Sequence, residues 1–108
     1  MNSTKILIVD DELIIRESLA AWLERDGHYV EMAVSGEEAL EKLKNVKFDI
    51  MLLDIKMEGM SGLELLGIVK KDDSDITIVM ITAYGSITSA IEAIKKGAYD
   101  YLLKPFDP

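Results

Sequence analysis

Three short apolar runs constrain this chain more than any other feature: residues 6–9 (Ile-Leu-Ile-Val), 50–53 (Ile-Met-Leu-Leu) and 76–81 (Ile-Thr-Ile-Val-Met-Ile). A strand with one wet face alternates apolar and polar residues, whereas a strand covered on both faces reads as a nearly unbroken apolar run. Such strands belong to parallel sheets, whose neighbours must be joined by a crossover, usually a helix. The segments between the runs have that character. From Glu12 to Asp26, Ile15, Leu19, Trp22 and Leu23 recur at helical spacing, and Gly27 supplies a left-handed stop. Tyr29 to Ala33 reads as a further short strand. Ser35-Gly36-Glu37-Glu38 and Ser61-Gly62-Leu63-Glu64 both have the capping-box pattern. The first opens a helix burying Ala39, Leu40 and Leu43; the second opens one that carries Leu63, Leu65 and Leu66 and ends near Lys71. Ile87, Ala90, Ile91 and Ile94 give the stripe of a fourth helix stopped at Gly97, and Tyr101-Leu102-Leu103 forms the last strand.

The order is β-α repeated four times plus a closing strand, so the expected fold is α/β: a doubly wound, five-stranded parallel sheet with helices on both faces. The 108 residues form one domain, 49% apolar and 30% charged, large enough to fold without a metal or disulfide staple. The chain has no cysteine, which excludes a disulfide framework, a cysteine zinc site and thiol catalysis, and fits a reducing, cytoplasmic compartment. No apolar run approaches the ~20 residues that span a bilayer, and no secretory h-region follows Met1 to Lys5. A net charge of −8 argues against direct nucleic-acid binding, which depends on neutralising phosphates. His28, the single histidine, sits in the Gly27 turn and cannot build a zinc site alone; the six methionines read as core filler.

In doubly wound sheets ligands lie outside the carboxyl ends of the strands, where the strand order reverses. The residues at those ends are Asp10 and Asp11 after the first strand, Asp54 after the third, Thr82 after the fourth and Lys104 after the fifth. Taken singly, an acid between strand and helix is ordinarily an N-cap, and a strand-terminal lysine is ordinarily solvated. Taken together, three carboxylates at one edge repel one another unless a cation shares the site. Oxygen-only ligands suit Mg²⁺ better than zinc or copper. Carboxylates, a hydroxyl and an ammonium around such a cation make a phosphoryl site, with Asp54 as nucleophile and Thr82 and Lys104 stabilising the phosphoryl oxygens. No P-loop is present. A flavin-phosphate loop is replaced by the repelling pair Asp10-Asp11, and the Asp-x-Asp pair of haloacid dehalogenase phosphatases is broken by Glu12.

Asp10-Asp11-Glu12 after an apolar strand, Asp54 opening the loop 55–62, then Thr82-Ala83 and Lys104-Pro105 resemble the receiver domain of bacterial two-component response regulators. The spacings fit as well: 43 residues from Asp11 to Asp54, 28 from Asp54 to Thr82 and 22 from Thr82 to Lys104. The resemblance covers almost the whole chain and goes with a flavodoxin-like strand order 2-1-3-4-5. It implies that Asp54 accepts a phosphoryl group from the phosphohistidine of a histidine kinase, making the protein a phosphoacceptor that assists its own modification rather than a turnover enzyme. It also implies that Asp11 ligates Mg²⁺ directly, that Asp10 does so partly through water, and that the backbone carbonyl of Lys56 completes the protein's share. Thr82 and the Ala83 N–H would bind one phosphoryl oxygen and Lys104 another. Tyr101 matches the aromatic switch position, and Lys56 and Tyr84 match positions that tune hydrolysis.

The stretch from Thr82 to Ser86 and the ending from Gly97 to Asp107 look most similar to receivers that precede an ATPase activating sigma-54 polymerase. An output domain C-terminal to this chain, controlled through the surface of the fourth helix and fifth strand, is therefore expected. Two departures stand out. Glu58 replaces a proline common in relatives, which removes a fixed φ from the loop after Asp54. The chain also ends at Pro108, where the resemblance places a fifth helix, so it reads as a receiver domain cut short. The uncovered sheet face would favour self-association as a homodimer. The alternative reading is a receiver-like docking module that is never phosphorylated.

Overall fold

The computed structural model describes residues 4–73, 75–82 and 87–103. Five strands alternate with four helices: β1 (Lys5–Val9), α1 (Leu13–Arg25), β2 (Tyr29–Ala33), α2 (Gly36–Asn45), β3 (Ile50–Asp54), α3 (Gly62–Asp72), β4 (Thr77–Thr82), α4 (Ile87–Lys95) and β5 (Asp100–Leu103). All the strand pairings are parallel, and the order across the sheet is β2-β1-β3-β4-β5. The chain thus steps from β1 to one side and then returns to lay β3 on the other. The carboxyl ends of β1 and β3 flank the point of reversal.

The apolar runs are buried because both faces of the sheet are covered. Leu7, Val9, Met51, Leu53, Ile78 and Met80 pack with Ala39 of α2, Leu65, Leu66 and Val69 of α3, and Ala93 of α4. On the opposite face Ile6, Ile8 and Ile81 pack with Leu19 and Ala20 of α1. Phe48, just before β3, is the bulkiest fully buried side chain of the described residues.

Two helix stops follow the expected chemistry. Gly27 and Gly97 adopt φ +91° and +110°, values that cost a residue with a Cβ about 1 kcal/mol or more. In both places the next two N–H groups turn back into the helix: Gly27 to Glu24 and His28 to Leu23, Gly97 to Ile94 and Ala98 to Ala93. This paired pattern is the Schellman motif. At the start of α3 the capping box is complete. The Glu64 N–H donates to Ser61 Oγ at 3.2 Å, and the Ser61 N–H donates to Glu64 Oε1 at 3.2 Å.

Four expectations need correction. At α2 the Ser35 hydroxyl accepts from the Glu38 N–H, but the Glu38 carboxylate accepts from Val34 instead of Ser35, so the cap is single rather than reciprocal. In α1 the buried residues are Leu19 and Ala20, while Trp22 is 36% exposed at the margin of the face. In α4 two residues of the stripe are turned outward. Ile91 and Ile94 are half exposed and the residue seated on the sheet is Ala93. Close approach of helix to sheet accepts a methyl where an isoleucine does not fit, and periodicity alone cannot see that distance. Of the methionines, Met51, Met57 and Met80 are core, whereas Met32 lies exposed on β2.

Candidate functional site

Each acidic residue reaches the reversal point by a separate local device. Asp10 follows the last residue of β1 and is fully buried. Its N–H donates to the Ala33 carbonyl at 3.1 Å, extending the β1–β2 ladder by one step. Its carbonyl accepts from Arg16 Nη1 at 2.8 Å, and its Oδ1 accepts from the Glu12 N–H at 2.9 Å. The carboxylate is thereby turned toward the start of α1, where free N–H groups favour negative charge. Asp11 and Glu12 are exposed. Glu12 is the N-cap residue of α1, yet its side chain makes no capping bond.

Asp54 is the last residue of β3 and only 3% exposed. The ladder pairs it with Ile81, and the Ile55 N–H donates to the Ile81 carbonyl at 3.3 Å. The Asp54 Oδ1 accepts from the Lys56 N–H at 3.3 Å, which draws the following loop over the carboxylate. One carboxylate oxygen from each of Asp10, Asp11, Glu12 and Asp54 lies within 4.8 Å of all the others.

Four carboxylates so close, two of them buried, repel one another, and a cation that shares their field relieves that repulsion. The donor set is all oxygen. In an octahedron of the Mg²⁺ kind opposite ligands stand about 4.2 Å apart, so the spread of these oxygens fits one small hard cation with water completing the shell. Asp10, Asp11 and Asp54 are thus brought together as the sequence order predicts, and Glu12 joins them. Sequence reasoning used Glu12 only as part of a motif. The signal was the third acid in the run Asp10-Asp11-Glu12, placed at the N-cap of α1 where its side chain makes no capping bond.

Thr82 ends β4, fully buried, one residue past the partner of Asp54 and beside Leu103 of β5. Tyr101 pairs with Met80 and is half buried against the core on the α4 side. Its hydroxyl shares a 3.1 Å hydrogen bond with Ser89 Oγ, which ties β5 to α4. The Lys56 side chain is exposed. Ala83, Tyr84 and Lys104 lie outside the described residues. His28 sits at the amino ends of β1 and β2, away from the carboxylates, where its Nδ1 accepts from the Thr4 N–H at 3.4 Å.

Sequence and structure comparisons agree with this architecture. The transcriptional regulatory protein ZraR of Klebsiella oxytoca is 43% identical over 102 residues, which is 94% of this chain and 23% of that protein. The chain therefore spans about a quarter of the length of this curated relative. The crystal structure of a CheY-like response regulator receiver domain protein from Methanospirillum hungatei JF-1 superposes with a TM-score of 0.95 at 36% identity, covering 99% of this chain and 86% of that one. A response regulator from Burkholderia pseudomallei, solved with a phosphorylated aspartic acid, calcium ion and citrate, superposes at 0.92 with 34% identity, covering 97% of this chain and 62% of that one. Residues 6–108 match the response regulator receiver domain family, and the chain belongs to it.

Proposed function

We propose that this domain is a phosphorylation-controlled signalling switch in which Asp54 accepts a phosphoryl group from a histidine kinase. The observation that carries the reading is the buried Asp54 carboxylate held within 4.8 Å of three further carboxylates at the point where the strand order reverses. A carboxylate oxygen of Asp54 attacks the phosphorus, the phosphorus–nitrogen bond of the phosphohistidine breaks, and an aspartyl phosphate forms. Asp10, Asp11 and Asp54, with the Lys56 carbonyl, would hold Mg²⁺, which would supply neutralisation of charge on the transferring group. Glu12 lies near enough to share that cation, directly or through water. The calcium ion and phosphorylated aspartic acid of the Burkholderia relative support the same pairing of chemistry here. Thr82 donates its hydroxyl to one phosphoryl oxygen and Lys104 pairs with another. Lys56 and Tyr84 match the family positions that tune hydrolysis of the phosphoryl group, and we assign them that role here.

Readout runs through β4 and β5. Thr82, drawn toward the phosphoryl oxygen, leaves space beside β4 that the Tyr101 ring can fill, so the chemistry biases the position of a side chain already bonded to α4. The α4–β5 surface, with exposed Ile91, Ile94, Tyr99 and Leu103, is the face that changes. The likeness to a transcriptional regulator supports an output domain in transcription, and the resemblance of residues 82–86 and 97–107 supports the sigma-54 activator ATPase class for it. The domain acts as a phosphoacceptor, not a turnover enzyme.

The test is incubation with acetyl phosphate and Mg²⁺ followed by intact mass measurement. The native chain gains one phosphate and Asp54→Asn gains none. An unmodified native chain would support the alternative of a docking module that is never phosphorylated.

A further inference from the structure

Gly62 opens α3 and is buried, yet it is not among the glycines with positive φ, so no unusual backbone angle accounts for it. Space does. A Cβ built there would lie 2.0 Å from the Asp54 carbonyl oxygen, 2.8 Å from its carbonyl carbon and 2.7 Å from Ile55 Cα. All three obstacles are backbone, which cannot swing aside as a side-chain end can. At Gly36 the contrast is plain, because a Cβ there meets the side chain of Met60, with Sδ at 2.8 Å. The close approach at Gly62 is also bonded, since its N–H donates to the Ile55 carbonyl at 2.8 Å. The N-terminus of α3 therefore rests directly on the peptide that carries Asp54.

We propose that Gly62 is a positioning residue for Asp54: its missing side chain lets α3 clamp the Asp54–Ile55 peptide so that the carboxylate stays among Asp10, Asp11 and Glu12. This inference rests on the phosphoacceptor reading above and deepens it. A methyl group at 62 must be pushed from 2.0 Å to at least 3.0 Å from the carbonyl oxygen, the limit below which such contacts essentially do not occur. That is a change of about 1 Å between the start of α3 and the peptide that carries Asp54, and displacements of this size at a nucleophile can cost about 10²-fold in rate. No ligand and no charge is removed by the change.

The test compares Gly62→Ala with a version that offsets any loss of helix stability. Gly67 lies within α3 with nothing inside 4 Å of a Cβ placed there, so Gly67→Ala favours the helix without touching the site. In Gly62→Ala/Gly67→Ala, checked as folded by circular dichroism and a dispersed amide spectrum, the rate of modification by acetyl phosphate at saturating Mg²⁺ falls by about 10²-fold. Gly67→Ala alone keeps the native rate. A merely structural glycine would lower the melting temperature and leave the rate at saturating Mg²⁺ unchanged, and that result overturns the proposal. Failure of both Gly62 variants to fold also overturns it, because the glycine then supports the domain rather than one carboxylate. If the native chain itself is not modified, the phosphoacceptor reading fails instead. The clamp is then judged by Mg²⁺ affinity from amide shifts, which weakens by about tenfold or more in the double variant if Gly62 places Asp54.

Discussion

Asp11→Asn reverses the sign of its effect on stability when Mg²⁺ is added. The four carboxylate oxygens of the cluster lie within 4.8 Å of one another, and even with the dielectric constant of water a pair of unit charges at that distance repels by about 0.9 kcal/mol. Asp11 faces three such neighbours. Salt with a Debye length of about 10 Å at 0.1 M removes part of the sum, which leaves about 1–2 kcal/mol of repulsion relieved by neutralising Asp11. In a chelator, then, the variant is the more stable protein, and its melting temperature lies higher by about 4–8 °C per kcal/mol for a domain of this size. With Mg²⁺ at about 100 times its dissociation constant the native chain gains about 2.7 kcal/mol, while the neutral amide is a poorer ligand for a hard cation and gains less. Thermal unfolding followed by circular dichroism, in chelator and across a Mg²⁺ series, should show the two melting curves changing places. A variant that melts below the native chain in chelator, or that gains as much from Mg²⁺, would refute the claim that these carboxylates share one cation site.

Other consequences follow from particular contacts. Ser61→Ala removes the reciprocal cap of α3 and should cost about 1 kcal/mol, read as a lower urea midpoint at constant slope. Ala93→Leu should cost about 1–3 kcal/mol by overpacking, whereas Ile91→Gln costs at most about 1 kcal/mol because the side chain is half exposed; equal costs would reject the described seating of α4. A double-mutant cycle of Ser89→Ala with Tyr101→Phe should give a coupling of about 0.5–1.5 kcal/mol for the hydroxyl pair, and zero coupling would remove the tie between α4 and β5. Beryllofluoride with Mg²⁺, standing in for the phosphoryl group, should shift amide resonances across 87–103 as well as around Asp54. Shifts confined to the neighbourhood of Asp54 would leave a phosphate site without a switch.

Much of the architecture was legible because it depends on local pattern. The unbroken runs at 6–9 and 50–53 could only be strands covered on both faces, and the Schellman turns at Gly27 and Gly97 need nothing beyond a residue that tolerates positive φ. The meeting of Asp10, Asp11 and Asp54 followed from strand order, since a doubly wound sheet brings the carboxyl ends of β1 and β3 side by side. Where reading failed, distance between elements was the missing quantity. The stripe Ile87-Ala90-Ile91-Ile94 is a sound helical period, but it does not say how near α4 lies to the sheet. Only the packed structure shows that Ala93 takes that place and that Ile91 and Ile94 are turned outward.

Glu12 and Gly62 mark the same boundary. The sequence by itself determined that acids would gather at one end of a parallel sheet, because side-chain period and strand direction are properties of the chain. It did not determine that Glu12 would make no side-chain cap and join them, since its place near Asp54 exists only once β3 packs beside β1. Nor could Gly62 be told from an ordinary residue of a helix start. Its need for a bare Cα arises from the backbone of Asp54 lying 2.0 Å from where a Cβ would be, a separation set by the packing of α3 onto β3 and absent from any local pattern.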